Sequence, residues 1–189
     1  MSPTTIEVDA AARLLRAGGV IACPTEAVYG LGCDPARLDA VERVVALKGR
    51  APEKGFILVA ADVAQLTRWI APLDAAARER VDAVWPGPVT FVVPAAADVP
   101  PLLTGGRATI ACRVSAHPTV RALCEASGRA LVSTSANRSG DPPLVDAAGV
   151  AHAFGIGSDG VDGIVIGALG GLDRPTAIVD LASGTRLRD

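Results

Sequence analysis

Apolar residues in this chain cluster in short runs, and several of those runs end in polar residues. The runs at 20–23, 56–60, 90–94, 108–114, 130–133, 163–166 and 176–180 are rich in Val, Ile, Leu and Ala. Their length and their Gly, Pro or charged flanks predict strands. Helical spacing predicts the segments between them. One helix runs to Ala17 behind a cap in the 4–9 segment, turns Leu14 and Leu15 inward and stops at Gly18-Gly19. A second, capped by Asp39, points Ala40, Val41, Val44, Val45 and Leu47 inward. Further helices are expected at 62–69, 74–84, 117–128 and 146–154. Pro24 turns the chain after the first strand. The Gly-rich 29–35 segment reads as a flexible corner, 95–101 as a surface turn, and 183–189 as a mobile polar tail. Strands and helices are interspersed without strict alternation, and no linker or repeat divides them. The fold class expected is α/β: a single domain, 1–189, on a mixed parallel and antiparallel sheet.

Three strand ends carry unusual chemistry. The 130–133 run opens into Ser133-Thr134-Ser135-Ala136-Asn137-Arg138-Ser139-Gly140, which holds four hydroxyls and an amide. The 20–23 run ends in Pro24-Thr25-Glu26, and the 108–112 run leads into Arg113. Strands that deliver polar groups to their ends build a site rather than a core.

Composition narrows the function classes. A chain of 189 residues can bury a sizeable core, and with 3% aromatics that core must be built from Ala, Val, Leu and Ile. Scarce aromatics also argue against single-strand recognition by stacking. A net charge of -2 gives no global pull toward nucleic acid or an anionic membrane. No apolar segment reaches transmembrane length, and the N-terminus lacks a basic region followed by an apolar run. A cytoplasmic, reduced protein without membrane association is expected. Cys23, Cys112 and Cys124 read as small core residues, whereas Cys33 lies in the Gly-rich corner.

Lys48, Arg50 and Lys54 lie in one loop at spacings of two and four. They suit a polyphosphate, because Arg offers a planar fork and Lys a mobile point charge. The same residues would also serve as a solvated basic loop. Arg113, flanked by Ala111, Cys112 and Val114, needs a partner for its head group. Glu26 can supply one within the protein, or a substrate carboxylate can; both readings stand. Ser133, Thr134 and Ser135 exceed what a strand end needs. Some can cap backbone groups near Asn137, and the rest can meet phosphate or ammonium. Ser139-Gly140 adds an anion-binding turn. The chain has no Gly-x-x-x-x-Gly-Lys-Ser/Thr loop and no dinucleotide fingerprint after a strand. Gly-x-Ser-x-Gly is absent, with His117 at a helix start and His152 on a helix surface, so a serine-hydrolase triad has little basis. Neither zinc-ligand spacing nor a two-metal carboxylate motif occurs, so no protein-held metal is expected.

Five separated motifs share one further property. Pro24-Thr25-Glu26-Ala27-Val28-Tyr29-Gly30-Leu31-Gly32-Cys33-Asp34, Lys48-Gly49-Arg50, Trp85-Pro86-Gly87-Pro88-Val89-Thr90, Arg113-Val114 with His117-Pro118, and 133–140 resemble the Sua5/YciO/YrdC family in order and spacing. The resemblance covers nearly the whole chain and is to the family's short bacterial form, without the additional C-terminal domain of longer Sua5 proteins. One departure is Ala51, which intervenes before a proline that the family often places directly after the arginine. The resemblance implies a strongly twisted mixed sheet around a concave, positively lined cavity. It implies an enzyme that condenses L-threonine, bicarbonate or CO2, and ATP into L-threonylcarbamoyladenylate and pyrophosphate, with Mg2+ carried by the nucleotide. A separate transfer complex, a transient partner, then passes the activated group to the N6 of adenosine 37 in ANN-reading tRNAs. The resemblance assigns Thr25, Arg113 and Ser133 to threonine, and Lys48 and Arg50 to the triphosphate as the catalytic cations. It assigns Thr109, Ser135, Asn137 and Ser139 to the nucleotide side, with Lys54 as a further phosphate contact. The alternative expectation is a tRNA or double-stranded RNA binding protein without ATP turnover, whose affinity would fall steeply with salt.

Overall fold

Residues 5–188 are described by a computed structural model of the chain. Its strands are β1 (Thr5–Ile6), β2 (Ile21–Pro24), β3 (Tyr29–Cys33), β4 (Ile57–Ala60), β5 (Val89–Pro94), β6 (Thr109–Val114), β7 (Leu131–Ser135), β8 (Gly163–Val165), β9 (Ala177–Asp180) and β10 (Arg186–Arg188). They form one mixed sheet in the order β1-β8-β2-β3-β7-β4-β6-β5-β9-β10. The pairs β1/β8, β2/β8, β4/β6 and β5/β9 are parallel, and the others are antiparallel.

The strand runs are continuously apolar because both sheet faces are covered. Helices α1 (Val8–Arg16) and α5 (Pro118–Ser127) pack together on one face. There Ala11, Leu15, Val120 and Leu123 join Ile21, Val59 and Leu131. The helices α2 (Leu38–Lys48) and α6 (Ala147–Phe154) contribute Val41, Val44, Val150 and Phe154 to the larger cluster, with Ala22, Leu58 and Val132. Neighbours along a strand, such as Leu58 and Val59 or Leu131 and Val132, thus fall into different clusters. Each such Leu or Val stabilises the fold by about 1.5–3 kcal/mol relative to exposure.

Caps explain several helix starts. Asp146 accepts from Gly149 N at the start of α6, and Asp74 accepts from Ala77 N at the start of α3 (Ala75–Asp82). The N-cap of α2 is Arg37 rather than Asp39. Asp39 sits in the first turn, where the helix dipole favours an acid, and pairs with Arg37 at 2.7 Å. In the 4–9 segment, where a cap is expected, the N-cap position of α1 is Glu7, whose side chain makes no capping hydrogen bond; Thr4 lies outside the described residues.

Four segments differ from expectation. The Gly-rich corner is mostly strand β3, in which Tyr29, Leu31 and Cys33 face the larger cluster. Alternation, masked by glycine, was the strand signal there. The 62–69 segment holds only a 3-10 turn, Val63–Leu66, capped by Asp62. A short helix, α4 (Pro101–Thr104), follows the surface turn. In the segment read as a tail, β10 pairs antiparallel with β9, and Arg188 Nε and Nη2 donate to Thr176 O. Asp189 lies outside the described residues.

Candidate active site

Strand register gathers residues that are far apart in sequence. β7 runs two residues further than expected, so Ser133 and Ser135 are strand residues, opposite Gly32 and Gly30 of β3. A glycine suits position 30, since a Cβ there would meet Thr25 Cγ2 at 3.1 Å. On its other side β7 pairs with β4, where Ile57 lies opposite both Ser133 and Ala111 of β6. Beyond β2, Thr25 closes a turn by donating from N and Oγ1 to Val28 O, at 3.0 and 2.8 Å. The result is a pocket of about 170 Å³ lined by Thr25, Glu26, Arg50, Arg113, Ser133 and Ser135, among others.

Arg113 is nearly closed off from solvent and hydrogen-bonded at both terminal nitrogens. Nη2 donates to Glu26 Oε2 at 2.9 Å, while Nη1 donates to Thr176 Oγ1 at 2.7 Å and Thr90 Oγ1 at 3.2 Å. Glu26 Oε1 accepts from Ser115 Oγ at 2.6 Å. Of the two readings open from sequence, the internal ion pair is therefore present, at a pocket wall. The Nε–H of Arg113 is buried without a hydrogen bond among the described residues. Burial lowers the pKa of Arg113, and the Glu26 carboxylate opposes that shift.

The basic loop does not act as one unit. Arg50 donates from Nε and Nη2 to Gly55 O at 3.1 and 2.9 Å, and stacks 5.1 Å over the Phe56 ring. It lines the first pocket and also a second, adjoining one of about 410 Å³. Four cationic side chains, Arg50, Lys54, Arg107 and Arg188, line this second pocket together with Thr109 and a single carboxylate, Asp180. Arg188 borders both pockets. Burial lowers the pKa of Arg50, with the charge of Arg107 as a second cause, and burial also lowers that of Arg188.

Lys48 departs from the expected phosphate-facing position. Its residue is 3% exposed, and it is not among the residues lining either pocket. Its ammonium donates to Ser135 O, to Asn137 O at 2.7 Å and to Asn137 Oδ1 at 3.2 Å. Lysine at the end of α2 thereby stitches that helix to the end of β7. Burial, with Arg50 and Lys54 nearby, pulls its pKa down to about 8. Asn137, half-buried, is engaged within its own loop: Oδ1 accepts from Ser135 Oγ at 2.6 Å, and Nδ2 donates to Asp141 O at 2.8 Å. Ser139 donates its backbone N–H to Lys48 O at 2.7 Å. Neither Asn137 nor Ser139 lines these two pockets. Both reinforce the loop behind Ser135, because a short turn rich in Asn and Ser satisfies its own backbone.

No histidine lines either pocket. His117 is the buried N-cap of α5, with Nε2 3.1 Å from Ala168 O, and His152 is exposed on α6. Among the described residues no group of three His, Cys, Asp or Glu could hold a metal ion. All four cysteines are buried and unpaired, Cys33 included. Burial, and secondarily Glu26, raises the Cys23 thiol to about 12, which leaves it an inert residue of the smaller core cluster.

Sequence reasoning missed Thr176, Ser115, Arg107 and Arg188. Thr176 opens a predicted strand and carried a signal in its polarity. The Arg186-Leu187-Arg188 alternation was a weak strand signal in a segment that composition marks as polar.

Known proteins resemble the chain along nearly its whole length. The Sua5_yciO_yrdC family model, described as "Telomere recombination", matches residues 13–188. A protein of Nitrosococcus oceani named threonylcarbamoyl-AMP synthase is 51% identical over 181 residues, 96% of this chain and 96% of that one. A Halorhodospira halophila protein of the same name is 54% identical, across 94% of this chain and 92% of its own. The crystal structure of P. abyssi Sua5 complexed with L-threonine superposes with a TM-score of 0.85 at 33% identity. It matches 95% of this chain, which spans 52% of that longer protein. The chain belongs to the Sua5/YciO/YrdC family.

Proposed function

We propose that this chain is an L-threonylcarbamoyladenylate synthase, a nucleotidyltransferase that joins L-threonine, bicarbonate or CO2, and ATP and releases pyrophosphate. The observation that carries this reading is the pair of adjoining pockets with Arg50 and Arg188 on their shared border. One is lined by hydroxyls and a paired guanidinium, as an amino acid requires. The other is lined by four cations, as a triphosphate requires. The names of the relatives and the threonine complex of P. abyssi Sua5 support the same assignment over RNA binding without turnover.

Threonine enters the smaller pocket. Its carboxylate competes for Arg113 Nη1 with the hydroxyls of Thr90 and Thr176, which are neutral acceptors; a charged acceptor binds about twice as strongly. Glu26 keeps Nη2 and holds the guanidinium in place. Thr25 and Ser133 orient the amino acid. Its neutral amine adds to CO2 and loses a proton, giving a carbamate. A carbamate oxygen then attacks the α-phosphorus, and the bond to the β-phosphate oxygen breaks to release pyrophosphate. Arg50, Lys54 and Arg188 offset the charge of the leaving group, and Thr109 and Ser135 meet the nucleotide. Holding two reactants in line across a shared border is worth roughly 7–11 kcal/mol of barrier in well-oriented systems. Lys48 supports this arrangement from within the wall, by fixing Ser135 and Asn137. Mg2+ belongs here to the substrate, since it binds mainly through phosphates and water. Asp180, the carboxylate of the second pocket, is the side chain that would meet it.

A cytoplasmic site of action and hand-over of the product to a tRNA-modifying transfer complex complete the proposal. No helix among the described residues is long and apolar enough to cross a membrane. The test is mass-spectrometric detection of threonylcarbamoyladenylate from purified protein with ATP, threonine and bicarbonate. Product should vanish when any one reactant is omitted. Absence of product with all three present would refute the assignment.

A further inference from the structure

Two loops meet at the mouth of the larger pocket. One is the basic loop, whose 3-10 turn spans Pro52–Lys54. The other follows α4 and carries Gly105, Gly106 and Arg107. Both crossings need glycine. Gly55 has φ +57° and a Cβ there would stand 2.8 Å from Leu103 O; Gly105 has φ +65° and its Cβ would stand 2.3 Å from Glu53 O. Phe56 N donates to Leu103 O at 2.8 Å and closes the contact.

Arg107 locks this junction with a fork. Nη1 donates to Glu53 O at 2.7 Å and Nη2 to Lys54 O at 3.1 Å. Arg50 takes the next carbonyl, Gly55 O, through Nε and Nη2. Two guanidinium groups therefore grip three successive carbonyls of one turn, and both line the cationic pocket. Arg50 is left with an Nη1 that makes no hydrogen bond among the described residues. A turn held in this way presents Arg50 and Lys54 in fixed positions to whatever enters.

We propose that Arg107 is a positioning residue of the polyphosphate pocket, setting the 52–55 turn that carries Lys54 and whose Gly55 carbonyl anchors the Arg50 guanidinium. This rests on the synthase reading, in which that pocket receives the triphosphate. The distinction from a plain surface charge is chemical. A lysine restores the charge but cannot span two carbonyls with one planar fork.

The experiment compares wild type with Arg107→Gln and Arg107→Lys. Calorimetry with a non-hydrolysable ATP analogue measures the nucleotide side, and steady-state kinetics measures KM for threonine and ATP separately. Arg107→Gln should weaken analogue binding and raise KM for ATP about tenfold, the scale of one charged hydrogen bond. KM for threonine should stay within about twofold. Arg107→Lys should recover only a minor part of the loss. Amide exchange at Lys54 and Gly55, whose N–H groups bond to Ala51 O and Pro52 O, should accelerate in both variants. Unchanged analogue binding in Arg107→Gln, or full recovery by lysine, would overturn the clasp while leaving the synthase reading intact. Failure of the wild type to bind the analogue would overturn the synthase reading itself, and the clasp with it.

Discussion

The two pockets share a border but are built on opposite principles. The smaller takes its key polar groups from strands and the turns that directly follow or precede them. Its key charge, Arg113, is buried, paired with Glu26 and held by two threonine hydroxyls. The larger also has strand residues in its wall, but it takes its charge from loops and a terminal strand, and its four cations face one carboxylate. A small zwitterion needs a rigid, pre-paired cradle that fixes one geometry. A polyphosphate needs surplus positive charge and tolerates a more open wall. Damage to the first pocket should therefore cost both fold and function, whereas damage to the second should cost mainly function, with structural loss confined to the 52–55 turn.

The largest expected effect follows from Arg113→Ala. It strands the Glu26 carboxylate in the interior, which costs about 3–5 kcal/mol of stability. Turnover with threonine should fall at least a thousandfold. The double change Glu26→Gln with Arg113→Met should restore much of the stability, measured by urea unfolding, and none of the activity. Equal activity loss without any stability loss would mean that the pair is not structural.

Arg50→Gln should act on the other side. KM for ATP should rise about a hundredfold, corresponding to about 2.7 kcal/mol, with a smaller loss of stability than in Arg113→Ala, since only the bonds to Gly55 O and the Phe56 contact are lost. A parallel rise in KM for threonine would erase the distinction between the pockets.

The pH dependence sharpens the comparison further. Lys48, on the wall between the hydroxyl strand and the basic loop, titrates at about 8. An unfolded lysine titrates near 10.4. Below about pH 8 the residue is charged in both states and its burial penalty is constant. Between about 8 and 10.4 the unfolded chain binds more protons, so this group makes stability rise with pH. Lys48→Met should remove that rise, since no ammonium is then buried behind Ser135 and Asn137. Urea unfolding of wild type and variant across this pH range checks it.

The smallest effect is a control away from both pockets. Asp74→Ala removes the side-chain cap of α3, a bond of 2.8 Å to Ala77 N. It should cost about 1 kcal/mol of stability with unchanged KM for either substrate.

The contrast between the pockets also explains what the sequence made legible. Strand ends announce themselves: an apolar run followed by Thr25, Arg113 or Ser133 marks a buried strand that delivers polar groups, and all three reach the first pocket. The cations of the larger pocket come from loops and the last strand, where little periodicity constrains direction. Arg107 follows two glycines and Arg188 lies in a polar segment, so neither carried a pattern. Lys48 was visible as a charge, but its inward turn was not. A lysine closing a helix ordinarily points to solvent, and only the carbonyls of Ser135 and Asn137, some ninety residues away, draw this one inside. The strand β3 was hidden for a similar reason, since Gly30 and Gly32 supply the backbone of a strand without its side-chain signature.

The most direct test is a crystal structure with threonine and a non-hydrolysable ATP analogue bound together. The threonine carboxylate should lie on Arg113 between Thr25 and Ser133, with the triphosphate against Arg50, Lys54 and Arg188 and the amino acid's nitrogen turned toward the α-phosphate. Threonine bound away from Arg113, or phosphates lying outside the Arg50 and Arg188 border, would contradict the two-pocket arrangement.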